Sequence, residues 1–73
     1  MEEYELNDMV KLFGSKKAFG EAIGVYPSNV THWGDTIPDL QKLKIWRLFK
    51  SDRSLMIRHT KIVNARKEAE KNG

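Results

Sequence analysis

Cysteine is absent from this chain of 73 residues, which excludes a disulfide framework and any metal site built on thiolates. Its two histidines, His32 and His59, lie far apart in the sequence with no carboxylate pair beside them. We therefore expect no metal and no cofactor. Neither a Ser-His-Asp arrangement nor a pair of acids suited to catalysis is evident, so we expect that the protein is not an enzyme.

Long apolar runs are also missing. No stretch approaches the roughly 20 apolar residues that a membrane-spanning helix needs, and the acidic residues Glu2, Glu3 and Glu5 have the wrong sign for a secretory signal. No glycine pattern matches a phosphate-binding loop, and no internal repeat is present. The expectation is a cytoplasmic protein with neither a membrane nor a small-molecule ligand as partner.

What the chain has is a modest excess of positive charge, +3 in total with a pI of about 9.3. Residues 50–73 carry seven Lys or Arg against three acids, a balance of +4, whereas residues 1–15 carry four acids against one lysine, a balance of −3. A basic surface is typical of nucleic-acid-binding proteins. The length predicts one domain, residues 1–73, with a core small enough that oligomerisation commonly supports it.

The segment 15–33, SKKAFGEAIGVYPSNVTHW, predicts two short helices joined by a tight turn. Ser15 can cap the first helix, Gly24 can end it in a left-handed conformation, and Pro27 suits the first position of the second helix. Gly20, which costs roughly 1 kcal/mol relative to alanine inside a helix, indicates a close approach of two helix backbones. Apolar residues at helical spacing form the buried sides: Ala18, Phe19, Ala22 and Ile23, then Val30 and Trp33.

This segment resembles the helix-turn-helix of phage repressors and, with its flanks, the Cro family. The residues that carry the resemblance are Gly20, Ile23, Gly24, Val25 and Val30, with Phe13-Gly14 before them and Trp33 and Ile37-Pro38 after them. The resemblance covers about residues 6–50. It implies a mainly α fold, a small Cro- or lambda-repressor-like helix-turn-helix domain of four to five helices.

The same resemblance implies a function. A Cro-like protein is a bacteriophage transcriptional repressor in the bacterial cytoplasm, associated with the nucleoid. It binds a pseudo-palindromic operator in double-stranded DNA as a dimer, inserting the helix 27–33 in the major groove. A weak homodimer that assembles fully on DNA is therefore the expected form. The alternative function is a protein-interaction module in which the basic tail is incidental.

The rest of the chain is less clear from its sequence. We expect a first helix at about 8–13, a fourth helix from Pro38 with Leu40, Leu43 and Phe49 facing the core, and a turn at 51–54. The C-terminal part is interpreted as helix, since Leu55, Ile62 and Ala69 repeat by sevens. The alternative is a fold of three N-terminal helices plus a C-terminal β-hairpin that pairs 47–50 with 55–58. Residues 1–5 and 64–73 are expected to be flexible ends.

The outer side of the helix 27–33 is the candidate for reading DNA, because Val30 and Trp33 occupy its inner side. Base edges in the major groove present a distinct set of donors and acceptors for each pair. Family resemblance also implies that base contacts cluster at positions 27, 28, 31 and 32. The predicted base-reading residues are Pro27, Ser28, Asn29, Thr31 and His32.

Each of these side chains suggests a particular contact. The amide of Asn29 suits adenine or only a supporting contact to a phosphate, the methyl group of Thr31 suits the methyl group of thymine, and His32 suits guanine or a phosphate. Pro27 departs from the stronger readers of the family, and this face carries no Arg or Gln. We expect sparse direct readout, supplemented by readout of DNA shape. The plainer interpretation is an ordinary solvated helix surface.

Ser15, Lys16 and Lys17 are the predicted phosphate-binding residues at the start of the first helix of the pair, where backbone N–H groups and the helix dipole favour anions. Tyr26 is predicted to reach a phosphate with its hydroxyl. The alternatives are a capped helix with two solvated lysines and a tyrosine ring that packs on the turn. Further basic residues can extend the surface: Lys42, Lys44, Arg47, Lys50, Arg53 and Arg58.

A second surface is predicted from apolar residues near the C-terminal half. An exposed apolar patch on a small domain usually marks an interface, and paired helix-turn-helix units match two DNA half-sites. The alternative is that the C-terminal segment folds back and covers these residues. The predicted dimer-interface residues are Trp46, Phe49, Leu55, Met56 and Ile57.

Overall fold

The computed structural model describes residues 4–72, except the side chain of Asn72, and within that range it contains five α-helices and no strand. The mainly α prediction is confirmed. None of the described helices is long and apolar enough to cross a membrane. The helices are α1 Leu6–Phe13, α2 Lys16–Ile23, α3 Pro27–His32, α4 Asp39–Ser51 and α5 Arg53–Asn72.

The β-hairpin alternative for the C-terminal half is wrong, because 47–51 and 53–58 are helical. Asp52 alone separates α4 from α5, with extended backbone angles of φ −130° and ψ 95°. Its carboxylate accepts hydrogen bonds from the backbone N–H of Ser54 at 3.1 Å and from the Ser54 hydroxyl at 2.8 Å. These bonds satisfy a free backbone N–H at the start of α5. In place of the turn expected at 51–54, Asp52 therefore caps α5 directly after α4 ends.

The core draws on every helix. Phe19 of α2, Val30 of α3 and Ile45 of α4 are fully buried, and Ile62 of α5 packs against the cluster from one side. The buried apolar residues are Tyr4, Leu6, Met9, Leu12, Phe19, Ile23, Val30, Ile37, Ile45 and Phe49. Burying such side chains contributes about 1.5–3 kcal/mol each, so this cluster holds the short helices in place.

Two expectations about the core are wrong. Leu40 is 64% exposed and Leu43 is half-buried, because Ile45 and Phe49, four residues apart on one face of α4, set the side that faces inward. Tyr4 was expected in a flexible arm, yet it is 3% exposed and meets the ring of Phe49 edge-on at 5.6 Å. The rest of that predicted arm, residues 1–3, lies outside the described residues.

Helix α5 does not fray at residue 64 as expected but continues to Asn72, held by an ion pair with α1. The Nε of Arg66 lies 3.1 Å from each carboxylate oxygen of Asp8, which is 1% exposed. Desolvation lowers the pKa of Arg66, but the charges of Asp8 and Glu5 and the hydrogen bond to Glu70 raise it by more. A buried carboxylate needs a fixed cation. The pairing of Arg66 with Asp8 therefore fixes the C-terminal part of α5 against α1.

The approach of α2 to α3 depends on one glycine. The Gly20 carbonyl accepts from the N–H of Val25 at 2.7 Å. A Cβ at Gly20 would lie 2.6 Å from the Val25 carbonyl oxygen and 3.3 Å from a methyl carbon of Val30. Gly24, at φ 74°, ends α2 in the left-handed region that glycine adopts most readily. The sequence prediction of a close contact at Gly20 is confirmed.

Replacing Gly20 by alanine tests this contact. We expect Gly20→Ala to lower the free energy of unfolding by about 2 kcal/mol, because the clashing atom belongs to a turn that cannot rotate away. In a domain of this size the thermal midpoint should fall by roughly 10 °C. The control is Glu21→Ala, an exposed neighbour on α2, for which we expect a change within about 0.5 kcal/mol. Equal midpoints for Gly20→Ala and wild type would contradict the account.

Candidate nucleic-acid interface

The local sequence fixes both ends of α2 and the start of α3. The Ser15 hydroxyl accepts from the N–H of Ala18 at 3.0 Å, which confirms the predicted cap. Pro27 occupies the first turn of α3 after the extended residue Tyr26. The inner side of α3 packs on the core through Val30, which is fully buried, and through Trp33, whose ring meets Phe19 edge-on at 6.3 Å. Its remaining side chains are left outside.

All five predicted base-reading side chains on α3 are exposed. Helical spacing divides them into two groups around the buried Val30. One group lies on the side of α4, where it lines a hollow with residues of that helix: Asn29 and His32. The other lies on the opposite side of α3: Pro27, Ser28 and Thr31.

Among the exposed residues of α3, Thr31 is the one whose side chain makes a hydrogen bond within residues 4–72. Its hydroxyl donates to the carbonyl oxygen of Pro27, one turn earlier, at 3.2 Å. The proton of the hydroxyl is therefore used within the helix. The groups that remain for a partner are the methyl group and the lone pairs of the oxygen.

The hollow between α3 and α4 has a volume of about 400 Å³. Tyr26 is 78% exposed, and Lys44 brings a positive charge from α4. Among residues 4–72, no acidic side chain lines the hollow, so its electrostatic character favours an anion. The lining residues are Gly24, Val25, Tyr26, Asn29, His32, Trp33, Gln41 and Lys44.

Gln41 is the residue that sequence reasoning missed. Its Oε1 is buried and makes no hydrogen bond to any of the described residues. A glutamine in the first turn of a helix gives no sequence signal of this kind, because its burial arises only when the helices pack together in the fold. Buried polar atoms without a partner are rare in folded proteins.

The structure separates the predicted phosphate-binding residues into two groups. Ser15, Lys16 and Lys17 lie exposed at the start of α2, whereas Tyr26 belongs to the hollow that contains Lys44. Arg58, one of the further basic residues, donates from Nη2 to the Leu12 carbonyl at 3.1 Å. Its charge thus meets the C-terminal end of α1, which favours a cation.

The predicted dimer patch is smaller than expected. Trp46, Met56 and Ile57 are 37%, 40% and 49% exposed. Phe49 is not available, because it lies 3% exposed against Tyr4 and His59. Leu55 is half-buried and packs against the core, so the helical C-terminal segment covers part of the surface that we expected to be free.

The three remaining apolar side chains are not all bare. The ammonium group of Lys50 lies 4.2 Å from the centre of the Trp46 ring, a cation–π contact that covers one face of the indole.

Within the part of the chain that the structure describes, no group of three or more His, Asp or Glu side chains could hold a metal ion. No protein-family model, curated protein or solved structure matches the chain.

Removing the buried amide of Gln41 tests whether its oxygen lacks a partner. We expect Gln41→Met, which keeps the length of the side chain, to raise the free energy of unfolding by about 1 kcal/mol, since an unsatisfied buried acceptor costs about 1–3 kcal/mol. Thermal unfolding followed by circular dichroism measures the change. Lys44→Met is the control on an exposed position of the same helix and should stay close to wild type. A clear loss of stability in Gln41→Met alone would show that the amide is satisfied in the folded protein.

Proposed function

We propose that the protein is a sequence-specific, double-stranded DNA-binding transcriptional repressor of Cro type. One observation carries the proposal: α3 exposes four polar side chains while Val30 and Trp33 fix its other side against the core. An α-helix fits the major groove of B-DNA, where such side chains reach base edges. In this account Ser28, Asn29, Thr31 and His32 read bases, and the ring of Pro27 adds an apolar contact.

The phosphate backbone is held on both sides of α3. On the α2 side, Lys16 and Lys17 meet a phosphate at the N-terminus of a helix whose first backbone N–H groups favour anions. On the α4 side, Lys44 and the hydroxyl of Tyr26 meet a second phosphate at the hollow. Contacts of this kind set the position of the protein on the duplex without reading sequence.

Dimerisation on DNA completes the proposal. Of the predicted interface residues, Trp46, Met56 and Ile57 keep exposed apolar surface for contact with a second copy. Three partly exposed side chains are few for a stable dimer, so the dimer is weak in free solution and assembles on a pseudo-palindromic operator. Repression follows from occlusion of RNA polymerase, a mechanism that rests on the resemblance to the Cro family. Regulation is then by protein concentration.

Selection of bound sequences from random duplex DNA at moderate salt tests the proposal. We expect a palindrome with half-sites about one helical turn apart, roughly 10 base pairs. For the selected duplex, the logarithm of affinity should fall linearly with the logarithm of salt concentration. Absence of any sequence preference would contradict the repressor. If, in addition, binding to DNA were lost, the same apolar side chains would favour the alternative of a protein-interaction module.

Matched alanine variants separate readers from phosphate contacts in that assay. Lys16→Ala should weaken binding to all sequences about equally and reduce the salt slope by about 1. His32→Ala should instead relax the preference at one position of each half-site, by about 1–3 kcal/mol. Lys71→Ala, near the end of α5 and away from α3 in sequence, is the control. Unchanged sequence preference in His32→Ala would remove this residue from the reading surface.

A further inference from the structure

The hydrogen bond from Thr31 to Pro27 limits what this side of α3 can recognise. Because the hydroxyl proton of Thr31 is donated to the Pro27 carbonyl, the residue is left as a hydrogen-bond acceptor with a methyl group beside it. Pro27 has no polar side-chain atom, and it is exposed one turn earlier on the same edge of the helix. This edge therefore offers apolar surface and an acceptor but no donor from Thr31.

Only some base-pair edges complement that combination. A G·C pair presents two guanine acceptors, N7 and O6, which repel another acceptor, and one donor, the N4 amino group of cytosine, but it has no methyl group. An A·T pair presents the C5-methyl group of thymine together with the N6 donor of adenine. A methyl group and an acceptor on one side chain match both features of this pair.

We infer that Thr31, with the ring of Pro27, reads the C5-methyl group of a thymine in each half-site. The inference rests on the proposed function and adds the base class that this edge of α3 selects. Ser28 is the neighbouring polar residue on the same edge. It keeps a hydroxyl that can donate or accept and so tolerates more than one base.

Uracil tests the inference because it differs from thymine only in lacking the C5-methyl group. In the duplex selected by the wild-type protein, each thymine is replaced in turn by uracil, and affinities are compared at one salt concentration. We expect one thymine per half-site at which the replacement weakens binding about fourfold, the value of one buried methyl group. The other thymines of the half-site should show no comparable loss.

Thr31→Ser assigns the effect to the residue. Serine keeps the hydroxyl and removes only the methyl group, so this variant should bind the thymine and uracil duplexes equally at that position. Thr31→Val keeps a methyl group without the hydroxyl and should retain the discrimination. Ser28→Ala, the matched control on the same edge, should also retain it. Circular dichroism confirms that each variant is folded, as expected for an exposed position.

The outcomes separate this inference from the proposed function. A selected palindrome in which no uracil replacement matters, or in which the loss is unchanged in Thr31→Ser, overturns thymine reading by Thr31 and leaves the repressor standing. Selection of no preferred sequence overturns both. Discrimination between thymine and uracil that disappears only in Thr31→Ser supports the inference.

Discussion

The contact between α2 and α3 at Gly20 is the constraint on which the proposed reading surface depends. With 2.6 Å between a hypothetical Cβ and the Val25 carbonyl, only glycine allows the turn to close. Closing the turn places Val30 and Trp33 on the core, and this placement leaves the opposite side of a six-residue helix exposed. So short a helix is unstable alone, and the packing beneath it supplies its fixed orientation.

The core of this small domain is limited, and ionic and hydrogen-bonding contacts of α5 hold that helix against α1. Asp8 is buried beside Arg66, fifty-eight residues away, and Arg58 reaches back to the end of α1. These contacts tie the last helix to the first, so part of the basic C-terminal half serves the fold. The positive charge near α3 comes instead from a few lysines. Helix α3 itself carries no Lys or Arg. The proposed recognition of DNA therefore relies on DNA shape and apolar contact more than on arginine.

The local features of this fold could be predicted from the sequence, whereas those set by packing could not. Ser15 as a cap, Gly20 at a close contact and Pro27 at a helix start each follow from the chemistry of one residue. The side of α4 that faces inward could not be predicted, because the apolar residues of this helix cover too wide an arc. Contact with the other helices decides between Leu40 and Ile45. The same limit applies to Phe49, which the sequence placed both among the core-facing residues of the fourth helix and in the predicted interface, and which lies in the core. It applies also to Gln41, whose burial no local pattern indicates.

The central claim is that the exposed face of α3 meets DNA. A nuclear magnetic resonance titration of the labelled protein with its selected duplex tests it most directly, because it reports on every backbone amide at once. The account predicts that the largest shift changes fall on residues 28–32 and on the start of α2, with smaller ones at Gln41 and Lys44. Changes concentrated at Trp46, Met56 and Ile57, with α3 unaffected, would contradict it.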